Sequence, residues 1–361
     1  MKLRSKLILL SVLCSFWTVA PASAQDWVYR AQLGDTLWDL CLEYTAKQGC
    51  WMELGRYNNI SQDRRIAPGT EIRIPLDWLV HVPIAGKVLN VNGDVSYRSR
   101  KQATPQPLSS GQDIALGSVL VSRSGTARIR LGKDSELLLR PNSILEITET
   151  GTAASPSSRV YLEDGEVELK VNPASRSRFE VHTPSAIAAV RGTEYRVASL
   201  REESSTRGEV LEGVVAVEAG SSVEVPAGFG VKATAGKPLG KPRKLLAAPR
   251  FEAGRIDAPL PITLRWQSDP QAVSWQLDVY DAGENGTLLQ SAVAPEPFLT
   301  LDSLDEGCYR VIARAVDNAG FNGLEEELPV CVLPPPPIVE EPPNYWGLAP
   351  WFATLMLILL L

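Results

Sequence analysis

The chain has 361 residues, with 36 basic and 42 acidic side chains and a formal net charge of −6. This acidic balance gives no strongly basic surface, so we expect no nucleic-acid partner. The length leaves room for two or three domains, and a hydrophobic fraction of 44% is typical of globular folds with buried cores.

Residues 1–24 have the pattern of an export signal. Basic residues occupy three of the first six positions, an apolar run extends from Leu7 to about Ala20, and three small residues precede Gln25. This pattern predicts cleavage before Gln25, a location in the periplasm or cell envelope, and a mature net charge of about −9, because the segment has three basic and no acidic residues. A lipoprotein site at Cys14 is the alternative, but the two residues before it are larger than a lipobox requires.

Four cysteines remain after this cleavage, and they fall into two close sets: Cys41 with Cys50, and Cys308 with Cys331. An even number of cysteines in an exported chain favours two local disulfides. A metal site is the weaker alternative, because the spacing is not CxxC and both histidines lie far from either set.

Residues 25–77 predict a small β-α-α-β unit. A short strand pattern is followed by Thr36, which begins a capping-box spacing, then by two helical stretches and a last strand after a Pro-Gly turn. A unit of about fifty residues is near the lower limit for a self-supporting core. A Cys41–Cys50 disulfide across the loop between the helices would stabilise it by about 2–3 kcal/mol.

The spaced motifs of this unit closely resemble a LysM domain: residues 34–38, residues 59–60 and residues 68–75. The resemblance implies a shallow groove between two loops that binds N-acetylglucosamine-containing glycans of peptidoglycan. By position, the groove would be lined by six residues: Gly34, Asp35, Thr36, Leu37, Asn59 and Ile60. Loop amides and carbonyls would pair with the N-acetyl groups, and Leu37 and Ile60 would contact the methyl. The alternative is that these residues only build turns and caps.

From residue 82 to residue 235 the pattern changes to short β-rich runs separated by Gly, Pro, Ser and Asp. Residues 127–131 and 167–171 alternate strictly between apolar and polar, which is typical of half-buried strands. The spacing of roughly 8 to 15 residues predicts an all-β domain. The sequence leaves open whether it is a β-roll or solenoid, or a sandwich.

Three groups of residues in this region resemble a FecR domain: residues 125–131, residues 162–167, and residues 181–184 with residues 190–197, which contain a Val-Arg-Gly-Thr-Glu-Tyr motif. FecR domains are β-rich envelope modules, best known as periplasmic sensors that pass a transport signal from an outer-membrane receptor to an anti-sigma segment. That role requires a cytoplasmic N-terminal segment. This sequence has an export signal and a LysM-like unit in that place, so we do not expect sigma-factor control.

Residues 236–250 are basic and rich in Gly and Pro, which favours a solvated linker over a patch that touches an anionic polymer. Residues 251–333 are again β-rich. Early tryptophans, a turn at residues 283–286 and an alternating run at residues 309–314 predict an immunoglobulin-like or fibronectin-III-like sandwich. Three consecutive glutamates at residues 325–327 are interpreted as a solvated acidic turn.

The C-terminal part has two further segments. Residues 334–344 form a proline-rich, extended spacer. Residues 345–361 have no charged side chain and would be roughly 25 Å long as a helix, at the lower edge of a bilayer span. We favour a membrane contact through this tail over packing on another protein, and the sequence leaves open whether it spans.

No residue pattern predicts catalysis. The sequence has no nucleophile elbow, P-loop, zinc-protease or dinucleotide-binding motif. His81 and His182 are interpreted as surface residues, and the run from Asp317 to Gly320 lacks the carboxylates of a calcium loop and is predicted to be a turn. We therefore expect no enzyme activity, no cofactor and no metal.

Taken in chain order, the prediction is a multidomain, mainly β protein: a LysM unit, a FecR-like β domain and an immunoglobulin-like sandwich. Its expected partners are peptidoglycan or another N-acetylglucosamine-containing glycan, an unidentified envelope protein, and a membrane through the tail. The alternative is a periplasmic signalling component that recognises an envelope receptor through the FecR-like domain.

Overall fold

The computed structural model describes residues 26–336. Within that range it leaves out the following positions: 32, 46, 48, 81, 100–101, 133–134, 151–156, 173–177, 191, 268 and 284–285. Strand accounts for 58% of the structure and helix for 6%, which confirms the mainly β fold class. The predicted export signal, His81, residues 337–344 of the spacer and the uncharged tail lie outside the described residues. Within the described part of the chain, neither helix has the length and apolar character to cross a bilayer.

The N-terminal unit has the predicted β-α-α-β order. Its elements are β1 Asp26–Arg30, α1 Leu37–Tyr44, α2 Trp51–Tyr57 and β2 Glu71–Pro75, followed by a short 3-10 helix Leu76–Trp78. The two strands pair antiparallel. The Oγ1 atom of Thr36 accepts a hydrogen bond from the Asp39 amide at 3.1 Å and so caps α1 as the spacing predicts. The predicted Cys41–Cys50 disulfide is present and joins α1 to the residue before α2.

The core of this unit forms from one face of each element. The alternating apolar residues of β1 and β2 point inward together with Leu37, Leu40 and Leu54 of the helices. The same apolar cluster continues into the following β domain. The Val80 amide also donates to the Tyr44 carbonyl at 3.0 Å. The small unit therefore packs against its neighbour as well as on itself.

The second region contains seventeen strands. They are β3 Ile84–Asn92, β4 Val95–Ser99, β5 Gln102–Pro107, β6 Asp113–Ala115, β7 Val119–Ser122, β8 Thr126–Leu131, β9 Ser135–Leu139, β10 Ser143–Thr150, β11 Ser157–Val171, β12 Arg178–His182, β13 Ile187–Val190, β14 Glu194–Leu200, β15 Ser205–Glu212, β16 Val214–Glu218, β17 Ser222–Pro226, β18 Phe229–Thr234 and β19 Arg243–Lys244. They form two layers around one apolar core. Layer I has the order β5-β4-β7-β10-β11-β12-β13-β16-β17, and layer II has the order β6-β3-β8-β9-β11-β14-β15-β18-β19.

Strand β11 belongs to both layers. Its first half pairs with β10 and β12 in layer I, and its second half pairs with β9 and β14 in layer II. The change of partners falls at Gly165, where φ is +91° and a Cβ atom would lie 2.6 Å from the Asn142 carbonyl oxygen. Only glycine fits this conformation and this approach. We call this two-layered domain with its shared strand the roll.

The third region is the predicted sandwich. Its strands are β20 Arg250–Phe251, β21 Ile256–Ala258, β22 Ile262–Gln267, β23 Ala272–Asp281, β24 Leu288–Ala294, β25 Phe298–Leu301, β26 Gly307–Asp317 and β27 Asn322–Val332. One sheet has the order β20-β22-β25, and the other has the order β21-β27-β26-β23-β24. Trp266 and Trp275 lie between the sheets with ring centroids 6.1 Å apart. The predicted Cys308–Cys331 disulfide joins β26 to β27.

A network of buried ion pairs joins the roll to the sandwich. Arg140 after β9 binds both carboxylate oxygens of Asp278 on β23 at 2.7 and 2.8 Å, and Arg314 on β26 reaches the same carboxylate at 2.6 Å. Arg196 on β14 pairs with Glu325 on β27 at 2.9 Å. The prediction of a solvated acidic turn at residues 325–327 is therefore wrong, because these residues lie within a strand and Glu325 has two buried arginine partners.

Residues 236–250, predicted to be a solvated linker, make contacts on both sides of this network. Strand β19 extends layer II by pairing with β18. Arg243 pairs with Asp317 of the sandwich at 2.8 Å, and the Leu246 carbonyl accepts a hydrogen bond from the Leu324 amide at 2.9 Å. The segment therefore follows the surface of both β units.

Candidate functional site

The first predicted groove loop precedes helix α1. Gly34 has φ of +99° with open space around the position of a Cβ, so only its backbone conformation requires glycine. The Asp35 carboxylate accepts a hydrogen bond from the Tyr29 hydroxyl at 2.8 Å. Burial and this carboxylate raise the pKa of Tyr29, which keeps the phenol a donor. Asp35 and Thr36 thus fix the loop on β1 and α1.

The second predicted loop follows helix α2, and its two asparagines have different roles. The Asn58 side chain donates to the carbonyls of Leu54 and Arg73 at 2.9 and 2.8 Å and accepts from the Arg73 amide. It therefore ties the loop to β2. Asn59 has φ of +53°, and its side chain is exposed. Of the pair, Asn59 is the side chain that faces solvent.

The structure brings the two loops together near Gly55. The Leu37 amide at the end of the first loop donates to the Asp63 carbonyl in the second loop at 2.9 Å. A Cβ atom on Gly55 would lie 2.9 Å from the Ile60 carbonyl oxygen and 3.2 Å from Cδ1 of Leu37. Leu37 and Ile60 thus both lie close to the same glycine.

The side chain of Leu37 is 0% exposed, since it belongs to the core of the unit. The expected contact between this side chain and an N-acetyl methyl group is therefore not available, and only the Leu37 backbone remains a candidate. Ile60 is half-buried and keeps an accessible surface.

Two apolar side chains near this groove were not predicted as part of the site. Leu33, directly before Gly34, is 90% exposed, and Trp38, directly after Leu37, is 46% exposed with its ring 4.2 Å from that of Trp51. The sequence does contain a signal for Leu33: it is a large apolar residue directly before the Gly-Asp pair of a turn, and it fits no helical or strand periodicity. Both add accessible apolar surface beside the loops.

The other residues considered for chemistry have structural contacts. His182 Nε2 lies 2.9 Å from Glu180 Oε2, and this contact, together with Arg159, lowers the pKa of Glu180 to about 2. Asp317 Oδ1 accepts from the amides of Ala319 and Phe321, which confirms the turn. Among the residues that the structure describes, no three potential metal ligands of the types His, Cys, Asp and Glu come together.

The fold and loops define a multidomain β-rich protein whose small disulfide-linked unit brings two loops together. A family model described as LysM domain matches residues 29–75, and one described as FecR protein matches residues 118–216. The chain therefore contains a LysM domain and a FecR domain, as the motifs predict. Both are non-catalytic families of binding and signalling domains, and together they indicate glycan binding and a place in the cell envelope.

Solved structures show weak similarity. Two are candidate anti-sigma factors of Parabacteroides distasonis, with 17% identity over 34% of this chain and 57% of the other (TM-score 0.30), and 12% identity over 49% and 84% (TM-score 0.31). A β-1,2-glucanase of the same organism has 11% identity over 70% of this chain and 38% of the other, with a TM-score of 0.21. The chain thus spans just over half of the first structure. No curated protein matches the chain.

Proposed function

We propose that this protein is an exported, non-catalytic envelope protein that binds the N-acetylglucosamine glycan of peptidoglycan through its LysM domain. The FecR and immunoglobulin-like domains would then be held at the wall for interaction with an envelope protein. The observation that carries the proposal is the pair of loops joined between the Leu37 amide and the Asp63 carbonyl in a chain whose residues 29–75 match the LysM family.

The groove offers the two kinds of contact that an N-acetyl group requires. Its amide needs hydrogen-bond partners, which the loop backbone at Gly34 to Thr36 and the exposed Asn59 side chain supply. Its methyl needs apolar surface, which Ile60 and Leu33 supply in place of the buried Leu37 side chain. A few directed polar groups beside apolar surface are the usual composition of a small-ligand site.

The β domains supply a rigid platform for a protein partner. The LysM core continues into the roll, and buried ion pairs join the roll to the sandwich. Attachment of the LysM domain to glycan would therefore set the orientation of the described chain as one body.

We assign residues 25–77 to the LysM unit, 82–235 to the FecR-like domain, 236–250 to the connection and 251–333 to the sandwich. Cleavage after residue 24 and membrane contact by residues 345–361 complete the proposal; they rest on the sequence patterns alone.

Co-sedimentation of the purified full-length mature chain with insoluble peptidoglycan tests glycan binding. We expect the unmodified chain and Glu224→Gln, a surface control on β17, to sediment with the wall, and Leu33→Asn to sediment less. N-acetylglucosamine oligomers should compete. Failure of the unmodified chain to sediment, or equal sedimentation in the presence and absence of these oligomers, would contradict the proposal.

The match of residues 118–216 to the FecR family favours a second candidate, an envelope signalling component. Here recognition of a receptor by the roll would be primary. Val214 on β16 is half exposed on layer I, away from the sandwich. A transcriptional response that is lost in Val214→Asp while wall binding persists would favour this candidate, whereas an unchanged response would count against a receptor contact at this part of layer I.

A further inference from the structure

A cleft of about 730 Å³ lies between layer II of the roll and the five-stranded sheet of the sandwich. Its walls come from β8, β9, β11 and β14 on one side and from β23, β26 and β27 on the other. The cleft is separate from the LysM loops and does not depend on the proposed glycan binding.

One wall of the cleft is a row of alternating charges. Five residues lie side by side on neighbouring strands of layer II: Arg130, Glu136, Lys170, Glu194 and Glu212. Their chain neighbours Ile129, Leu137, Leu169 and Tyr195 are buried in the roll, so the charged residues face outward. The row begins with a cation on β8 and ends with two carboxylates on β14 and β15.

The cationic end is completed from both domains. Arg128 of the roll donates from Nη2 to the Gly286 carbonyl at 3.3 Å, and Nη2 of Arg310 of the sandwich lies 2.9 Å from the position of a Cβ on Gly286. The two guanidinium groups thus converge on one residue. Within the described part of the chain, the Nε atoms of both are buried without a hydrogen-bond partner; Arg128 has no ion pair, and Arg310 pairs through Nη1 with the partly exposed Glu327 at 3.3 Å. The Nε–H groups of these two arginines can therefore donate hydrogen bonds to an anionic oxygen of a ligand.

The anionic end has three neighbouring carboxylates. Glu325 of the sandwich lies over β14, where it accepts from Arg196 at 2.9 Å. Burial raises the pKa of Glu194, and the charges of Glu325 and Glu212 add to the effect despite Lys170 at 3.8 Å. Glu212 is exposed and forms no ion pair with any described residue. This end has an excess of negative charge, which an amino group would neutralise.

The two ends are three strand spacings apart, from β8 to β14, or roughly 14 Å. An extended peptide covers this distance with about four residues. A polyanion would meet the carboxylates, and an apolar ligand would leave both sets of charges dehydrated. We propose that the cleft binds a short zwitterionic peptide of about four residues, with its carboxylate at Arg128 and Arg310 and its amino group at Glu194 and Glu212.

Calorimetric titration of the full-length mature chain with tetra-alanine tests the proposal. Two capped peptides serve as matched probes: N-acetyl-tetra-alanine lacks the amino charge, and tetra-alanine amide lacks the carboxylate. We expect the uncapped peptide to bind roughly fivefold more tightly than either capped form, a difference typical of one partly exposed charge pair. No binding at millimolar concentration, or equal binding of all three peptides, would overturn the proposal.

Two variants locate the ends of the bound peptide. Arg128→Gln should lower the affinity for the uncapped peptide roughly fivefold and leave the affinity for the amide unchanged. Glu212→Gln should lower the affinity for the uncapped peptide by a similar factor and leave the affinity for the acetylated peptide unchanged. Arg123→Gln and Glu224→Gln, on exposed residues outside the cleft, are the controls. Equal weakening of the uncapped peptide and the amide by Arg128→Gln, or of the uncapped and the acetylated peptide by Glu212→Gln, would contradict the assignment of ends. If a variant does not fold, the titrations of the unmodified chain with the capped peptides still test whether both terminal charges contribute to binding.

Discussion

At residue scale, Leu37 contributes to stability through burial. Its side chain is fully buried, so Leu37→Ala removes apolar contacts and leaves a cavity. We expect a loss of about 2–5 kcal/mol of stability in the LysM unit. Hydrogen exchange of peptides from residues 37–57 measures this loss. Leu33→Ala, at a position 90% exposed, is the control and should change protection by less than about 0.5 kcal/mol. Similar protection in both variants would refute the assignment.

The two asparagines of the second loop make a paired prediction. Asn59→Gly keeps the left-handed backbone conformation that glycine adopts readily, so stability should stay within about 0.5 kcal/mol while glycan binding falls. Asn58→Ala removes the hydrogen bonds to Leu54 and Arg73 and should cost about 1–3 kcal/mol. Denaturation and co-sedimentation on both variants check this, and unchanged binding by Asn59→Gly would exclude its side chain from the site.

Sequence reasoning was right about the helix cap at Thr36 because a cap depends only on residues within one turn. It was ambiguous about Leu37, because this residue fits both the apolar face of α1 and a predicted position in the groove. The structure places the side chain in the core. The exposed Leu33 was missed, because no periodic pattern reports on a single residue in a turn.

At element scale, the Cys41–Cys50 disulfide closes the short loop between α1 and α2. Replacing both cysteines by serine should lower the stability of the LysM unit by about 2–3 kcal/mol, because the unfolded segment gains freedom. Hydrogen exchange in residues 37–57 should rise while exchange in the sandwich stays constant. The matched control is the double serine variant of Cys308 and Cys331, which should raise hydrogen exchange in the sandwich and leave exchange in residues 37–57 constant. Loss of protection in both units from either variant would show that the effects are not local.

Strand β11 illustrates what pattern reading misses between elements. The Glu-Asp-Gly-Glu stretch around Gly165 has the composition of a turn, which would separate short strands on either side of it. In the structure the residues on both sides belong to one strand of fifteen residues that changes layers. Long-range pairing decides this, and short windows of sequence contain no information about partners in another layer.

Gly165→Ala should be strongly destabilising. A Cβ there would lie 2.5 Å from Ser143 Cα and 2.6 Å from the Asn142 carbonyl oxygen, and φ is +91°. Backbone contacts of this kind give way only by moving a strand, so we expect a loss above about 2 kcal/mol. The measurement is the denaturation midpoint of the full chain. Gly220→Ala, in a turn with positive φ and open space, is the control, and an equal effect of both variants would contradict a special role of the layer change.

At the scale of the whole molecule, stability should depend on pH through Asp278. Burial alone would raise its pKa, but Arg140 and Arg314 hold the pKa of this carboxyl well below its usual range. A lowered folded-state pKa contributes stability that is complete above the unfolded pKa of about 3.9 and is lost as pH falls below it. Glu166 at the same interface has a pKa raised by burial, so its effect has the opposite sign.

Asp278→Asn leaves two buried arginines without this partner and should cost about 3–5 kcal/mol at pH 7. The difference in unfolding free energy between the unmodified chain and the variant should be constant above about pH 5. Below about pH 4 it should decrease by about 1.4 kcal/mol per pH unit. Denaturation of both chains across this range measures the gap, with the exposed Asp257→Asn as control. A gap independent of pH would refute the assignment to Asp278.

The order of domains followed from composition and motifs, whereas their packing did not. Glu168 and Arg196 alternate with apolar residues along their strands, and Glu325 begins a run of three glutamates; both patterns are usual for a solvent-facing side. Two such faces lie against each other here, and each of these three side chains forms an ion pair with a residue on another strand or domain. A charged side chain that packs against another domain looks the same in sequence as one that faces water.

The junction between the roll and the sandwich holds both buried ion pairs and a small apolar cluster of Leu138, Tyr280, Leu288 and Ile312. If the two domains separate, each carboxylate and guanidinium regains its hydration, which lowers the free-energy cost of opening, whereas exposure of the apolar cluster to water opposes it. Salt would ease the parting, since it screens the charges once water enters.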